Sequence, residues 1–171
     1  MNNFESITQF INKSPKTELH LHIEGSLEPN LMFKLSQRNK VEIPFKSVEE
    51  IRSAYNFTNL DSFLNIYYQG SNVLINEEDF FDLTWEYILR CKQDNIVHTE
   101  IFFDPQSHIP RGVGFDTIIN GIHKALKKAK DEFNITSKVI MCFLRHLDEE
   151  SCFDVLNQAC NHKDKIIGVG L

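Results

Sequence analysis

Glu18-Leu19-His20-Leu21-His22-Ile23-Glu24-Gly25 is an apolar-alternating run that carries two histidines separated by one residue and stops at a glycine. A period of two is that of a β-strand, which sends side chains i and i+2 to one face, so His20 and His22 point together while Leu19, Leu21 and Ile23 face the other way. Two imidazoles spaced in this way can both reach one zinc ion at roughly 2.0–2.1 Å. Glu24 continues the histidine face, and Gly25 lets the backbone turn sharply into a helix start at Ser26-Leu27-Glu28-Pro29. Spacing alone fits equally a pair of idle histidines in a half-exposed strand, because two ligands do not complete a metal site.

Outward from this strand the period changes repeatedly between helix and strand. Before it, Phe4, Ile7, Phe10 and Ile11 recur at helical spacing and predict an amphipathic helix covering one end of the core, broken at Ser14-Pro15. After it, a helix with Pro29 in its first turn runs to about Asn39, Val48 to Tyr55 reads as a short helix, and Leu60 to Leu74 as another. Together these form a helical insertion that could lie over a site, although plain packing is the better account of it. Asn76 caps a helix with Phe80, Trp85 and Ile88 on its buried stripe. Ile96 to Phe103 is a second strand ending at Asp104-Pro105, and Phe115 to Phe133 a strong helix. Ser137 to Leu144 is a third strand with a nearly continuous apolar centre, as expected where helices cover both faces of a parallel sheet. A helix from about Glu149 to Cys160 and a fourth strand from Lys165 to Leu171 follow.

Strand and helix alternating this regularly mean parallel α/β architecture. No Gly-x-Gly-x-x-Gly follows any strand, which removes the phosphate-binding turn of a dinucleotide fold. A barrel instead collects side chains from the C-terminal ends of its strands, where His20, His22, Asp104 and Arg145-His146 fall. A complete barrel takes roughly 250 residues and eight strands. The expectation is the N-terminal half of a TIM (β/α) barrel, with an N-terminal helix and a helical insertion after the first strand, residues 1–171 forming a single incomplete domain.

With 171 residues, 42% hydrophobic and 25% charged, the composition is that of one globular domain. The formal net charge of -6 repels phosphate backbones and excludes nucleic acid as a partner. Cys91, Cys142, Cys152 and Cys160 form no C-x-x-C pair and read as reduced core thiols of a cytoplasmic protein. The start Met1-Asn2-Asn3-Phe4-Glu5-Ser6 lacks a basic region followed by an apolar run, and no segment approaches the roughly 18 apolar residues of a membrane span.

Pro15-Lys16-Thr17-Glu18-Leu19-His20-Leu21-His22-Ile23-Glu24-Gly25-Ser26-Leu27-Glu28-Pro29 resembles the opening of the adenosine and adenine deaminases, zinc aminohydrolases built on a TIM barrel. The similarity runs almost the whole chain. Phe103-Asp104-Pro105-Gln106-Ser107-His108 with Arg111-Gly112, Ile135 to Cys142, and Leu144-Arg145-His146 are similar to the adenine deaminase branch, particularly its fungal members. The resemblance implies that His20 and His22 are zinc ligands, that Glu24 lies near a small purine substrate, and that adenine and water give hypoxanthine and ammonia in purine salvage, with zinc the sole cofactor. It also implies that the family's third histidine ligand, aspartate ligand, glutamate proton donor and second catalytic histidine belong to later strands, so no catalytic residue is assigned within this chain. An inactive truncated half-barrel and an adenosine deaminase-like enzyme are the alternative readings. Unpaired first and fourth strands would offer edges for self-association.

Among the remaining candidates, His98 and His123 read as packed or surface residues and His162 as part of a solvated turn. His108 and His146 follow strand ends and read as support for a site rather than as metal ligands. Asp104 and Arg111 are placed to pair and hold their loop. Lys124, Lys127, Lys128 and Lys130 form an exposed helix face.

Overall fold

The structure is a computed structural model that describes residues 3–171, with side chains from Ser6 onward. Met1, Asn2 and the Phe4 side chain, used above for the N-terminal reading, lie outside the described residues. Four strands, β1 (Lys16–His22), β2 (Ile96–Phe103), β3 (Thr136–Cys142) and β4 (Gly168–Gly170), form one parallel sheet in the order β1-β2-β3-β4. Helix α1 (Asn3–Lys13) precedes β1. Between β1 and β2 lie α2 (Pro29–Asn39), α3 (Val48–Ala54), α4 (Leu60–Ser71) and α5 (Glu77–Gln93); α6 (Phe115–Phe133) and α7 (Glu149–Ala159) make the next two crossovers. Strand order following chain order, with helical crossovers, is the winding of a (β/α) barrel.

Local chemistry sets the helix ends. Ser47 accepts from the Glu50 N–H at 3.2 Å and Asp148 from the Ser151 N–H at 2.7 Å, each occupying a first-turn donor. Asn59 and Ser62 form a reciprocal capping box. Pro29 sits at the first position of α2, where no N–H is needed.

The core lies between the sheet and α2, α5 and α6, around Leu31, Leu35, Phe80, Ile88, Ile101, Phe103, Ile118, Ile122 and Met141. In β2, Thr99, Ile101 and Phe103 are buried while His98, Glu100 and Phe102 are only partly so, and β3 alternates in the same way with Val139 and Met141 inward. The sheet is therefore covered on one face, as in a barrel wall, and the double covering expected from β3 is not found; its apolar centre includes Ile140 and Cys142 on the barrel-interior side. Helices α5 and α6 pack so closely that a Cβ on Gly121 would lie 2.3 Å from the Glu77 carbonyl oxygen.

Three further expectations are corrected. The α1 face formed by Ile7, Phe10 and Ile11 is exposed, Phe10 at 72%, and does not cover the core. Strict alternation in β1 fails: Glu18 pairs with Thr99 and Leu21 with Ile101, three residues against two, so a bulge at Leu19-His20 leaves Leu19 54% exposed instead of placing it with Leu21. All four cysteines are free, but Cys160 is exposed and Cys152 half-buried; Cys91 lies in the core, and Cys142 is buried on the barrel-interior side.

Candidate active site

Strand β1 ends at His22, and the chain passes at once into a 3-10 turn, Ile23–Ser26, in which the Ser26 hydroxyl donates to the Ile23 carbonyl at 2.8 Å. The turn is made without left-handed backbone, since Gly112 is the one described glycine with positive φ. Gly25 instead leaves room beside the Tyr67 ring, which a Cβ would meet at 3.6 Å. Leaving the strand here moves Glu24 off the histidine face: it is 3% exposed, beneath the end of β2, rather than continuing the row of His20 and His22.

His20 and His22 do share the barrel-interior face. Their rings are stacked with centroids 5.7 Å apart, and Phe102 of β2 lies against both, at 4.5 Å from His20 and 5.3 Å from His22. Asp104, at the end of β2, accepts from His22 Nδ1 at 3.1 Å. A carboxylate only accepts, so Nδ1 carries the proton and Nε2 the lone pair. The same carboxylate accepts from the Tyr67 hydroxyl of α4 at 2.6 Å. The bond to Asp104 raises the His22 pKa against the lowering effect of burial. Burial, then the charges of Glu24 and Asp104, push the Tyr67 hydroxyl far up, and it stays protonated.

Glu24 is tied to the same centre. Its Oε1 accepts from the Asp104 backbone N–H at 2.9 Å and from His108 Nε2 at 3.1 Å. Arg111 donates to His108 Nδ1 at 2.7 Å, and since a guanidinium has only donors, His108 is held as the Nε2–H tautomer. Arg111 also donates to the Asn72 carbonyl at 3.1 Å and lies within hydrogen-bonding distance of the Ser71 and Leu74 carbonyls at 2.9 and 3.1 Å, joining the end of α4 to this loop. The Asp104–Arg111 pairing expected from the sequence is thus absent: each has partners on other elements. His108 supports the site, as expected, from a fully buried position.

Two cavities meet here. The larger, about 460 Å³, is lined by His20, His22, Asp104, Tyr67 and Leu144; the smaller, about 90 Å³, by Glu24, Leu27, Tyr55, Phe57 and Ile66. Gly25, Phe63 and Tyr67 border both. The helical insertion therefore forms a wall of the site through Phe63 and Tyr67. At the third strand end, Gln106 accepts from the Leu144 N–H at 2.8 Å, and Cys142 approaches His22 and Asp104, their donor atoms lying within 4.8 Å of one another. Burial, then the charges of Asp104 and Glu24, push the Cys142 thiol up to about 11.

Tyr67 and Cys142 were not legible as site residues. Tyr67 was one of several aromatics on a helical face and Cys142 one apolar position in a strand; long-range packing alone gives them their roles. His146 is exposed and outside this cluster. His98 bonds Thr136 at 2.6 Å near the other end of the sheet, and His123 lies half-buried on α6. His162 corrects its reading: it lies in a 3-10 turn, bonded to Asp116 at 2.6 Å and stacked on Phe115. Lys128 lies over the Trp85 ring at 4.1 Å, so the lysine face of α6 is not wholly solvated.

Two imidazoles supply part of the ligand set that a zinc ion takes. Among the described residues, His20 has no hydrogen-bond partner on either nitrogen and His22 none on Nε2, which leaves imidazole lone pairs on one face with Asp104 fixing one ring from behind.

A parallel (β/α) wall with polar side chains gathered at the carboxyl ends of its strands is the arrangement of a barrel enzyme. The chain matches the family described as Adenosine deaminase over residues 15–171, and it belongs to that family. It is 63% identical over 161 residues to an adenine deaminase of Psychrobacter cryohalolentis, covering 94% of this chain and 48% of the relative. It is 57% identical over 171 residues to an adenine deaminase of Zymomonas mobilis, covering 100% and 50%. Among solved structures, an adenine deaminase from Arthrobacter aurescens superposes with a TM-score of 0.88 at 43% identity, covering 92% of this chain and 48% of that one. An amidohydrolase from Burkholderia ambifaria, crystallised with bound Zn, superposes at 0.82 and 20% identity, covering 95% and 45%, a likeness of fold. The architecture is the N-terminal half of a TIM barrel, and the chain spans about half the length of the curated relatives it matches.

Proposed function

We propose that this chain serves the zinc-dependent hydrolytic deamination of adenine, adenine and water giving hypoxanthine and ammonia, in purine salvage. The observation that carries the reading is the coupling of His22 through Asp104 to Glu24 and Tyr67, with His20 stacked beside it at the same strand end, in a chain 63% identical to an adenine deaminase. His20 and His22 would hold the zinc. Bound there, zinc supplies a water whose pKa is lowered toward about 7. Asp104 holds His22 through Nδ1 and leaves Nε2 for the metal, Phe63 and Tyr67 border the space for a planar base, and Glu24 would lie near the substrate behind Gly25. The four free cysteines accord with a reducing, cytoplasmic setting.

The test joins this chain to the complementary C-terminal portion of the Psychrobacter relative and measures hypoxanthine and ammonia formation with zinc, from adenine and from adenosine. Faster turnover of adenine is expected. Preference for adenosine contradicts the substrate assignment, and no turnover of either purine favours a noncatalytic half-barrel.

A further inference from the structure

His20 lacks the tether that His22 has. Asp104 holds the His22 ring through Nδ1, whereas neither nitrogen of His20 has a hydrogen-bond partner among the described residues, and the residue is exposed. A metal-holding imidazole is ordinarily fixed by a bond to its other nitrogen, and without one an exposed ring keeps several rotamers. What lies against the His20 ring is Phe102 of β2, with centroids 4.5 Å apart and planes 24° from parallel. The same phenyl ring stacks on His22 at 5.3 Å and 19°. One phenyl group therefore contacts both imidazoles at separations where offset-stacked rings attract.

The phenyl ring has its place because β4 lacks a side chain there. Gly112 is the one described glycine with positive φ, so the backbone at Gly170 does not itself call for glycine. A Cβ on Gly170, however, would lie 2.8 Å from Phe102 Cε1 and 3.2 Å from Cδ1. Gly168 pairs with Ile140 and Gly170 with Cys142, so the two glycines share a face of β4, yet a Cβ on Gly168 would meet nothing within 4 Å. The Phe102 ring thus reaches from the histidines of β1 to the backbone of β4, and it is at Gly170 that a side chain would displace it.

We infer that Phe102 is a positioning residue that fixes the mutual orientation of the His20 and His22 imidazoles, and that Gly170 is the gap which lets it do so. Phe102 offers an ion no ligand atom. It restricts the rotamers of a ring that no hydrogen bond restrains, so that the pair meets a metal already arranged. The inference rests on the metal-holding reading of the pair and concerns how the two rings are set, not the reaction.

The test uses the 171-residue chain and nuclear magnetic resonance. In the metal-free chain, nuclear Overhauser contacts are expected from the Phe102 ring to the carbon-bound ring protons of both histidines. Carbon relaxation should report an ordered His20 ring that becomes mobile in Phe102→Leu and in Gly170→Ala, while the His22 ring, which Asp104 still holds, changes less. Zinc chloride, titrated against the same signals, should bind both variants about threefold to tenfold more weakly, the range that one aromatic contact carries. Gly168→Ala should match wild type within about twofold. A merely structural role for Phe102 would lower the urea midpoint and leave the zinc affinity of the folded variants unchanged, and that result overturns the inference. So does a His20 ring equally ordered in wild type and both variants, or a loss in Gly168→Ala as large as that in Gly170→Ala. Should Phe102→Leu fail to fold, Gly170→Ala decides. If wild type binds no zinc at either histidine, the metal reading falls and the order of the His20 ring alone decides the inference. Zinc held by both histidines with unaltered affinity in the variants removes the inference and leaves the metal reading standing.

Discussion

Replacing Asp104 with alanine removes the acceptor of two side-chain donors at once, His22 Nδ1 at 3.1 Å and the Tyr67 hydroxyl at 2.6 Å, while its backbone N–H still reaches Glu24. A hydrogen bond to a charged acceptor contributes about 1.5–3 kcal/mol. The His22 side chain is 36% exposed and lets water replace the lost partner, so its share falls at or below the low end, whereas the Tyr67 bond is short and shielded. The expected loss for Asp104→Ala is about 2–4 kcal/mol, and for Tyr67→Phe about 1–1.5 kcal/mol. Once Asp104 is gone the Tyr67 hydroxyl has nothing to lose, so the double variant should be about as stable as Asp104→Ala alone. That is a coupling of about 1–1.5 kcal/mol, the whole of the Tyr67→Phe loss. Urea unfolding in the presence of a chelator, with unchanged dependence on denaturant, measures each corner of the cycle. Additive losses, within about 0.5 kcal/mol, would refute the claim that Tyr67 and Asp104 act as one unit.

Other outcomes follow from the same geometry. Gly121→Ala drives a Cβ to 2.3 Å from the Glu77 carbonyl and 2.7 Å from Phe80 Cβ, so α5 and α6 must separate; a loss of about 1–3 kcal/mol in a denaturant melt is expected, and a neutral result would contradict the packing. The His22 pKa is raised above 6.5 on folding, so its contribution is fully present below that value and lost as pH rises through the folded pKa. The stability gap between wild type and His22→Gln, in chelator, should therefore be larger at about pH 5.5 than at about pH 8, and a gap that widens with pH would reverse the sign. Both sheet edges, β1 and β4, lack a strand neighbour among the described residues, and Ile167, Val169 and Leu171 are exposed at the β4 side. Size-exclusion chromatography with light scattering should find oligomers, and a compact monomer with strongly exchange-protected amides from Lys165 to Leu171 would show that the edges close otherwise.

Much of the architecture was legible because period and punctuation are local. Ile96 to Phe103 ending at Asp104-Pro105, and the 19-residue α6 from Phe115 to Phe133, were readable to the residue. The pair His20 and His22 was readable as well, since spacing of two survives even in a bulged strand. The bulge itself was not, because it is a mismatch between two strands, Glu18 to Leu21 against Thr99 to Ile101, and neither run shows it alone. Glu24 was placed one step along a strand that had already ended. Tyr67 and Asp104 lie 37 residues apart and Glu24 and His108 84 apart, contacts that only the folded sheet brings together. Arg111 was misread for the same reason: Asp104 was the near acid in sequence, but His108 and the carbonyls after α4 surround the guanidinium in space.

The central claim is that His20 and His22 form the metal-holding face, with Asp104 holding His22 through Nδ1. X-ray absorption at the zinc edge, on the concentrated chain with substoichiometric zinc, tests it most directly, because His22, Asp104 and Cys142 also bring donor atoms within 4.8 Å of one another. The account predicts nitrogen and oxygen neighbours at roughly 2.0–2.1 Å with the multiple scattering of two imidazoles, reduced to one in His20→Ala. A sulfur neighbour near about 2.3 Å that disappears in Cys142→Ser, with no effect of His20→Ala, would contradict it.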